Sequence, residues 1–490
     1  MLPFQKELFP LLPPVAGNKD VRELRALLDR VDELLHQSGL ETEYVLKFPE
    51  ARRNTPRKVG RLVRALRCTL LRMLFQLPYG RAARELGTNY LYQKFCGLIK
   101  VDVIESPSSS TLERYEKLVP ADTVRRLICH LNGVAALAAG APESSGAPES
   151  SGLALKKPVE LGAVYADCTA FKARVHHPVD WLLLRDATRT LVLAIEQVRK
   201  RGIRNRMPQK PKAYLRAMNK LCIEMTHARR AKDSRKVRKR VFRRMKKLMR
   251  TVEGLAQGHL EKLRKQGASR GLGLITLRML EDKFTAVLGQ VDAIVHQAHE
   301  RIIGERRVAN KDKTLSLYEP DMHVIVRGKT GSEVEFGNTL FLAEQADGLI
   351  VDWRLYKEQA PADSKMVPEH LERMEKDCGI ALGKFTADRG FDSKANGAAL
   401  EYANTANYIC PRDPQALGER LNEDDFREHQ TRRAQTEGRI AILTRNFTGS
   451  PARKWGHANK ERLCAWAILA HNLWVLARLP RRPDGLALAA

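Results

Sequence analysis

ELGAVYADCTAFKARV, residues 160–175, alternates with the period of two that marks a β-strand. One face would carry Tyr165, Asp167, Thr169 and Phe171, the other Val164, Ala166 and Cys168. A carboxylate in the middle of a strand is costly unless it has a partner. Asp167 therefore marks either a solvent-facing edge position or a functional site. From Trp181 the period becomes helical, with Leu184, Thr188, Leu191, Ile195 and Val198 on one side.

Helical patterning persists downstream to about Ile303. Within it, residues 199–250 hold twenty-two Lys and Arg against two acids, Glu224 and Asp233. Apolar residues recur at 237, 241, 245, 248, 252 and 255, so this block reads as a packed helix with a basic outer face rather than a tail. A second stripe at 277, 280, 284, 287, 291, 294, 298 and 302 supplies an antiparallel partner. So dense a charge repels itself unless a polyanion or nearby acids offset it. Nucleic-acid contact is expected of it through Arg243, Arg244, Lys246 and Lys247, while Lys239 is given no role.

From residue 322 the period returns to two. HVIVRGK and VEFGNTLFLAEQ lead through the ADG turn (346–348) into LIVDWRLY, a hairpin. A helix around 366–378, the strand KFTAD ending at Asp388, a helix around 393–403 and the strand NYICP follow. A helix around 427–445 and the apolar helix ERLCAWAILAHNLWVLARL complete the series. Hairpin strands and then strand–helix alternation describe a mixed α/β sheet with helices on its faces. Arg327-Gly328-Lys329-Thr330 imitates the end of a phosphate-binding P-loop. His323 stands where the first glycine is required and the flanks read as a hairpin, so no ATP site is expected.

Upstream, residues 20–39 place apolar groups at 21, 24, 28, 31 and 35, a helical stripe ending at Gly39. Short basic helices separated by tight turns run from Pro56 to about Lys117, and Ser110-Thr111-Leu112-Glu113 matches a capping box. Both a helix-turn-helix DNA reader and an ordinary helical bundle fit that pattern. Residues 141–146 and 147–152 are the same hexapeptide, APESSG, a Pro/Ser/Gly repeat that reads as a flexible linker. The expected organisation is a helical segment over 1–55, a helical DNA-binding domain over 56–137 and a linker over 138–157. The catalytic core follows in two parts, 158–198 and 311–480, around a basic helical insertion at 199–310, with a tail at 481–490.

The formal charge is +28 and the sequence pI about 9.9, which calls for a polyanionic partner. No apolar run approaches the ~18 residues of a spanning helix, and no signal peptide precedes the first charges, so a cytoplasmic location without membrane contact is expected. The eight cysteines are scattered without a Cys-x-x-Cys pair, which points to reduced thiols rather than a disulfide scaffold or zinc finger. His176-His177, beside Pro178, is read as a loop pair with a solvated or hydrogen-bonded role.

Two more carboxylates bear on chemistry. Asp388 sits where a strand ends and a turn begins, the position at which α/β sheets place their sites. Glu437 follows Arg433 by four residues, one turn along a helix face. That spacing serves a plain ion pair worth ~0.2–0.5 kcal/mol. It serves equally a metal-ligating carboxylate beside a guanidinium that grips phosphate.

The order Asp167, Asp388, Glu437, with the text around it, resembles the DDE transposases of bacterial insertion sequences, whose catalytic core is ribonuclease H-like. YADCTAFKARVHHPVDWLLL resembles their first-Asp strand and its turn into a helix, and ADRGFDS their second-Asp motif. VRGKTGSEVEFGNTLFLAEQADGLIVDWRLY is similar to their hairpin, and RRAQTEGRIAILTRNF to the terminal Arg-x-x-x-Glu signature. LPYGRAARELGTNYLYQKFCGL with SPSSSTLERYEKL resembles their N-terminal helical domain.

The resemblance implies a ribonuclease H-like mixed sheet with helices on both faces, interrupted by the long basic helical insertion and preceded by an all-α N-terminal domain. It implies a transposase acting as a homodimer on double-stranded element ends and target DNA. Two Mg²⁺ ions, with Mn²⁺ able to substitute, would be held by Asp167 bridging both, Asp388 on one and Glu437 on the other. Arg433, Arg389 and Arg445 would contact DNA. The family pattern has Tyr three residues before the Arg and Lys seven after the Glu; here Gln430 and Thr444 stand there, with Arg445 adjacent. The insertion falls between the two Asps, 221 residues apart, whereas Glu437 follows Asp388 by only 49. A nuclease or resolvase of the same core that never joins strands is one alternative. A catalytically inactive, transposase-derived DNA-binding regulator is another, although all three acids are present.

Overall fold

Seven helices precede the first strand in the computed structural model, which describes residues 17–48, 55–100, 103–137, 153–175, 178–329 and 332–481. The APESSG repeat and the His176-His177 pair lie outside the described residues. The helices are α1 (Lys19–Gln37), α2 (Leu40–Leu46), α3 (Pro56–Leu74), α4 (Tyr79–Thr88), α5 (Tyr90–Phe95), α6 (Ser109–Glu116) and α7 (Ala121–Ala136). Asn18 opens α1 by accepting the Val21 N–H. Gly39, at φ +64°, makes the left-handed turn into α2 that a residue with a Cβ would resist. The expected capping box is displaced by two residues. Ser108, directly after Pro107, accepts the Thr111 N–H at 3.3 Å, so α6 starts at Ser109.

The strand around Asp167 is β1 (Ala163–Lys172), followed by α8 (Asp180–Lys200), α9 (Pro211–His227), α10 (Ser234–Gln266) and α11 (Leu274–Ile302). β2 (His323–Lys329), β3 (Ser332–Glu344) and β4 (Ile350–Leu355) come next, then α12 (Val367–Cys378), β5 (Lys384–Ala387), α13 (Lys394–Tyr402) and β6 (Ala406–Ile409). The chain continues through α14 (Pro414–Arg420), α15 (Asp424–Arg433), α16 (Thr436–Leu443) and α17 (His457–Leu476). The six strands form one mixed sheet in the order β2-β3-β1-β5-β6, with β4 also on β3. β1, β5 and β6 run parallel, while β3 pairs antiparallel with β2 through its first half and with β4 through its second.

Two units emerge from the described residues. The first combines those of Met1–Lys172 and Asn338–Ala490, and the second is Ala173–Gly337. In the first, α17 is apolar nearly all round and buried along most of its length, as a core helix must be. Its cluster gathers Leu34, Leu66 and Leu131 from the N-terminal helices together with Val164, Phe341 and Phe385 from the sheet. Asn472 ties the two further, donating to Asn132 Oδ1 at 3.0 Å and to the Ile350 carbonyl at 2.8 Å. The helices expected as a separate domain thus share one core with the sheet. α17 lies more than 300 residues further along the chain, so no local pattern revealed the sharing.

The second unit packs α8–α11 around Leu191, Ile195, Met218, Phe242, Phe284 and Ile294. The α11 stripe is buried as expected from Leu280 to Ile302. On α10 the buried face is centred on Val241, Phe242, Met245, Met249, Val252 and Ala256, and positions 237, 248 and 255 are only partly covered. The shift arises because α10 packs against α8, α9 and α11 together. The unit also exceeds the expected 199–310, since it takes in α8 and the β2 stem.

Cys129 on α7 and Cys378 on α12 form a disulfide, contrary to the expectation of reduced thiols. A separation of 249 residues hid the pairing from any spacing argument. Among the described residues no helix is long and apolar enough to cross a membrane.

Candidate active site

Register brings the first two acids together. Ala166 of β1 lies opposite Ala387 of the parallel β5, so Asp167 and Asp388 follow matched residues on adjoining strands. β1 has β3 on one side and β5 on the other, which removes the solvent-edge reading of Asp167. Asp167 Oδ1 accepts the Cys168 N–H at 2.7 Å. Asp388 ends its strand by accepting the Gly390 N–H at 2.8 Å.

The expected helix over 427–445 is broken. Arg433 is the last residue of α15 and Glu437 lies in the first turn of α16, so the two do not share one continuous helix face. Glu344, buried at the end of β3, pins the break. It accepts from both terminal nitrogens of Arg432 at 3.1 Å and from the Thr436 hydroxyl at 2.9 Å, holding the end of one helix and the start of the next. Burial pushes the Glu344 carboxyl up and Arg432 pulls it back. The break puts Glu437 at a helix N-terminus, where the backbone dipole favours a carboxylate.

Gln430 has a structural task. Its amide donates to the Tyr408 carbonyl at 2.6 Å and the Ala387 carbonyl at 3.4 Å, and its oxygen accepts from Arg433 Nε at 3.1 Å. Arg433 is thereby tied to the end of β5, beside Asp388. Thr444 turns its hydroxyl back to the Ile440 carbonyl at 3.0 Å, and the wide turn Thr444–Thr448 follows. Arg445 and Arg389 are exposed.

Electrostatics join what the chain separates. The Asp167 carboxyl is pushed up to about 6, first by burial and then by the charges of Asp388 and Glu437, while the Cys168 N–H and Arg433 pull the other way. Asp388, Glu437 and Arg433 therefore all lie near enough to Asp167 to act on its charge.

A fourth carboxylate, absent from the sequence reading, faces the same place. A Cβ on Gly390 would lie 2.9 Å from Asp388 Oδ1 and 3.2 Å from Asp363 Oδ2, so both carboxylates border the space that a glycine leaves open. Cys168, next to Asp167, hydrogen-bonds Asp363, and its thiol is pushed well up by burial and then by Asp363, Asp167 and Asp388. Asp363 starts a single 3₁₀ turn before α12.

Among the described residues no three His, Cys, Asp or Glu side chains stand grouped so that they could hold a metal ion. The donor chemistry nevertheless fits Mg²⁺. It is oxygen only, and Mg²⁺ takes one or two carboxylates each with water and substrate phosphate completing the shell. A carboxyl raised by burial and like charges is also one that a cation would relieve.

Of the basic residues singled out on α10, Arg243, Arg244 and Lys247 are exposed and Lys246 is half-buried. Arg244 pairs with Glu224 at 2.7 Å, and Lys239 with Glu305 at 2.9 Å. Comparison with known protein families, curated proteins and solved structures returns no match.

Proposed function

We propose that the chain is a DDE-type transposase that binds element-end DNA, cleaves phosphodiesters and joins the freed 3′-OH ends to target DNA. The single observation that carries this reading is that Asp388, matched to Asp167 by strand register, acts on the Asp167 charge together with Glu437 and Arg433 from two helices. The strand path β4-β3-β1-β5-β6, with parallel β1, β5 and β6 and acids beyond the ends of the matched central pair, supports a ribonuclease H-like core.

Each residue then has a task. Asp167, whose charge both other carboxylates oppose, would hold Mg²⁺ together with Asp388 and Glu437. When bound, two Mg²⁺ ions supply activation of the attacking oxygen and stabilisation of the leaving one. Arg433, aligned by Gln430, would grip the scissile phosphate with its planar fork. Glu344 keeps Glu437 at the start of its helix. A homodimer would present two such sites to paired DNA ends.

The test is strand cleavage and joining by purified protein in Mg²⁺ or Mn²⁺. Asp167→Asn, Asp388→Asn and Glu437→Gln should each abolish both steps and leave duplex binding intact. Normal cleavage by any one of them removes that residue from the assignment. Cleavage of intact ends without joined product, even from pre-nicked ends with target present, makes the protein a nuclease instead.

A further inference from the structure

A second concave and strongly charged feature lies in the Ala173–Gly337 unit. The first turns of α10, the end of α11 and the segment after it border an open cavity of about 1040 Å³. Its wall carries Arg235, Arg238, Arg301, Arg306, Arg307 and Lys313 against a single carboxylate, Glu305. Neighbouring acids neutralise only part of that charge. Asp180 accepts from Arg301 at 2.8 Å, Glu300 accepts twice from Arg306, and Glu305 is shared between Arg235 at 4.0 Å and Lys239 at 2.9 Å. Arg238 packs over the Trp181 ring, 5.7 Å from its centroid, and its Nε is buried without a hydrogen-bond partner.

We propose that this cavity binds phosphodiester groups of a duplex nucleic-acid backbone. The proposal rests on the DNA-acting reading above but requires nothing of the carboxylate site. Five of the six wall cations are guanidinium groups, whose planar fork matches phosphate oxygens two at a time. The space is too wide for one small anion. On a different face of α10 from Arg235 and Arg238, Lys236, Arg240, Arg243, Lys247 and Arg250 recur at successive steps of four and three residues, all exposed, with Arg250 paired to Glu253 and Asp292. That stripe is ~20 Å long at 1.5 Å per residue, and matches the axial rise of about six phosphates on one strand of a duplex. A cationic pocket and a separate cationic track on the same helix suit a polymer of phosphates better than a free nucleotide. Contacts of this kind supply affinity and register and carry no base sequence.

The test uses the full-length chain and a fluorescently labelled duplex of arbitrary sequence, with binding followed by anisotropy over a salt series of roughly 50–200 mM. The cavity variant is Arg235→Gln/Arg307→Gln/Lys313→Gln, built from cations at the accessible rim, with its melting temperature compared with the parent's. Each lost phosphate contact lowers the slope of log affinity against log salt by about 0.9, so the slope should fall by about 2–3 and the affinity roughly tenfold or more. A folded variant with unchanged slope and affinity overturns the proposal. So does a variant that loses inorganic tripolyphosphate but keeps the duplex, since the pocket would then serve a free polyphosphate. Asp388→Asn is expected to bind the duplex as the parent does. Failure of the parent protein to cleave or join DNA would sink the transposase reading, yet a reduced salt slope in the cavity variant would still support this one.

Discussion

Asp167 is held where its charge is opposed, and that has a measurable consequence. Its carboxyl rises from 3.8 to about 6 on folding. A raised acid contributes no penalty below about pH 4, where it is protonated folded or unfolded. It then costs stability as pH rises through 6. Asp167→Asn should therefore stabilise the metal-free protein by on the order of 2 kcal/mol at pH 7.5 and by little at pH 4, read by urea unfolding in chelator. A variant no more stable than the parent at neutral pH would mean that the three acids do not share one space. Mg²⁺ competes with that proton, so its stabilising effect should grow as pH passes 6. Asp363→Asn should weaken this Mg²⁺-dependent stabilisation, because Asp363 borders the same space as Asp388. A full Mg²⁺ response in that variant would reduce Asp363 to a partner of the Cys168 thiol. The first three acids were legible in the sequence because each sits in a short strand or motif with its own pattern. Asp363 was not, since PADSK is one polar loop among many and only the approach across Gly390 reveals it.

At the scale of elements, the break between α15 and α16 decides where Arg433 and Glu437 point. Nothing local announces it: Ala434 and Gln435 are good helix formers, with neither Pro nor Gly between them. The interruption comes from a distant strand, through Glu344 and its bonds to Arg432 and Thr436. Glu344→Gln should leave Arg432 half-buried without its counter-charge and destabilise the protein by about 1–3 kcal/mol. Cleavage should fall further than the stability loss explains while duplex binding holds, because Glu437 loses its place at the helix start. Cleavage that tracks only the folded fraction would show that the break is packing and nothing more. The four helices of the second unit were easier to read, since each meets its neighbours through one apolar stripe of helical period. Even there α10 is shifted, because three neighbours widen its buried face.

At the scale of the whole chain, the sequence reading divided what the fold unites. The all-round apolarity of ERLCAWAILAHNLWVLARL announced an apolar helix, yet its partners α3, α7 and β4 lie far away in the chain. Glu116 shows how tight the union is. Arg72 from α3, Tyr79 from α4 and Lys454 from the approach to α17 all meet its buried carboxylate, and Trp466 donates to its carbonyl at 3.2 Å. Burial alone would raise the Glu116 carboxyl, but Arg72 and Lys454 outweigh it and hold the group below its ordinary value. A lowered acid adds stability above its unfolded pKa, and that stability is lost as pH falls through the folded value. Glu116→Ala strands two cations in the core and should cost about 3–5 kcal/mol at neutral pH. Hydrogen exchange should register that cost equally in the N-terminal helices, in α17 and in β4, since a shared core opens as one. Protection lost from α3–α7 alone, with the sheet unaffected, would restore the separate helical domain that the linker composition suggested.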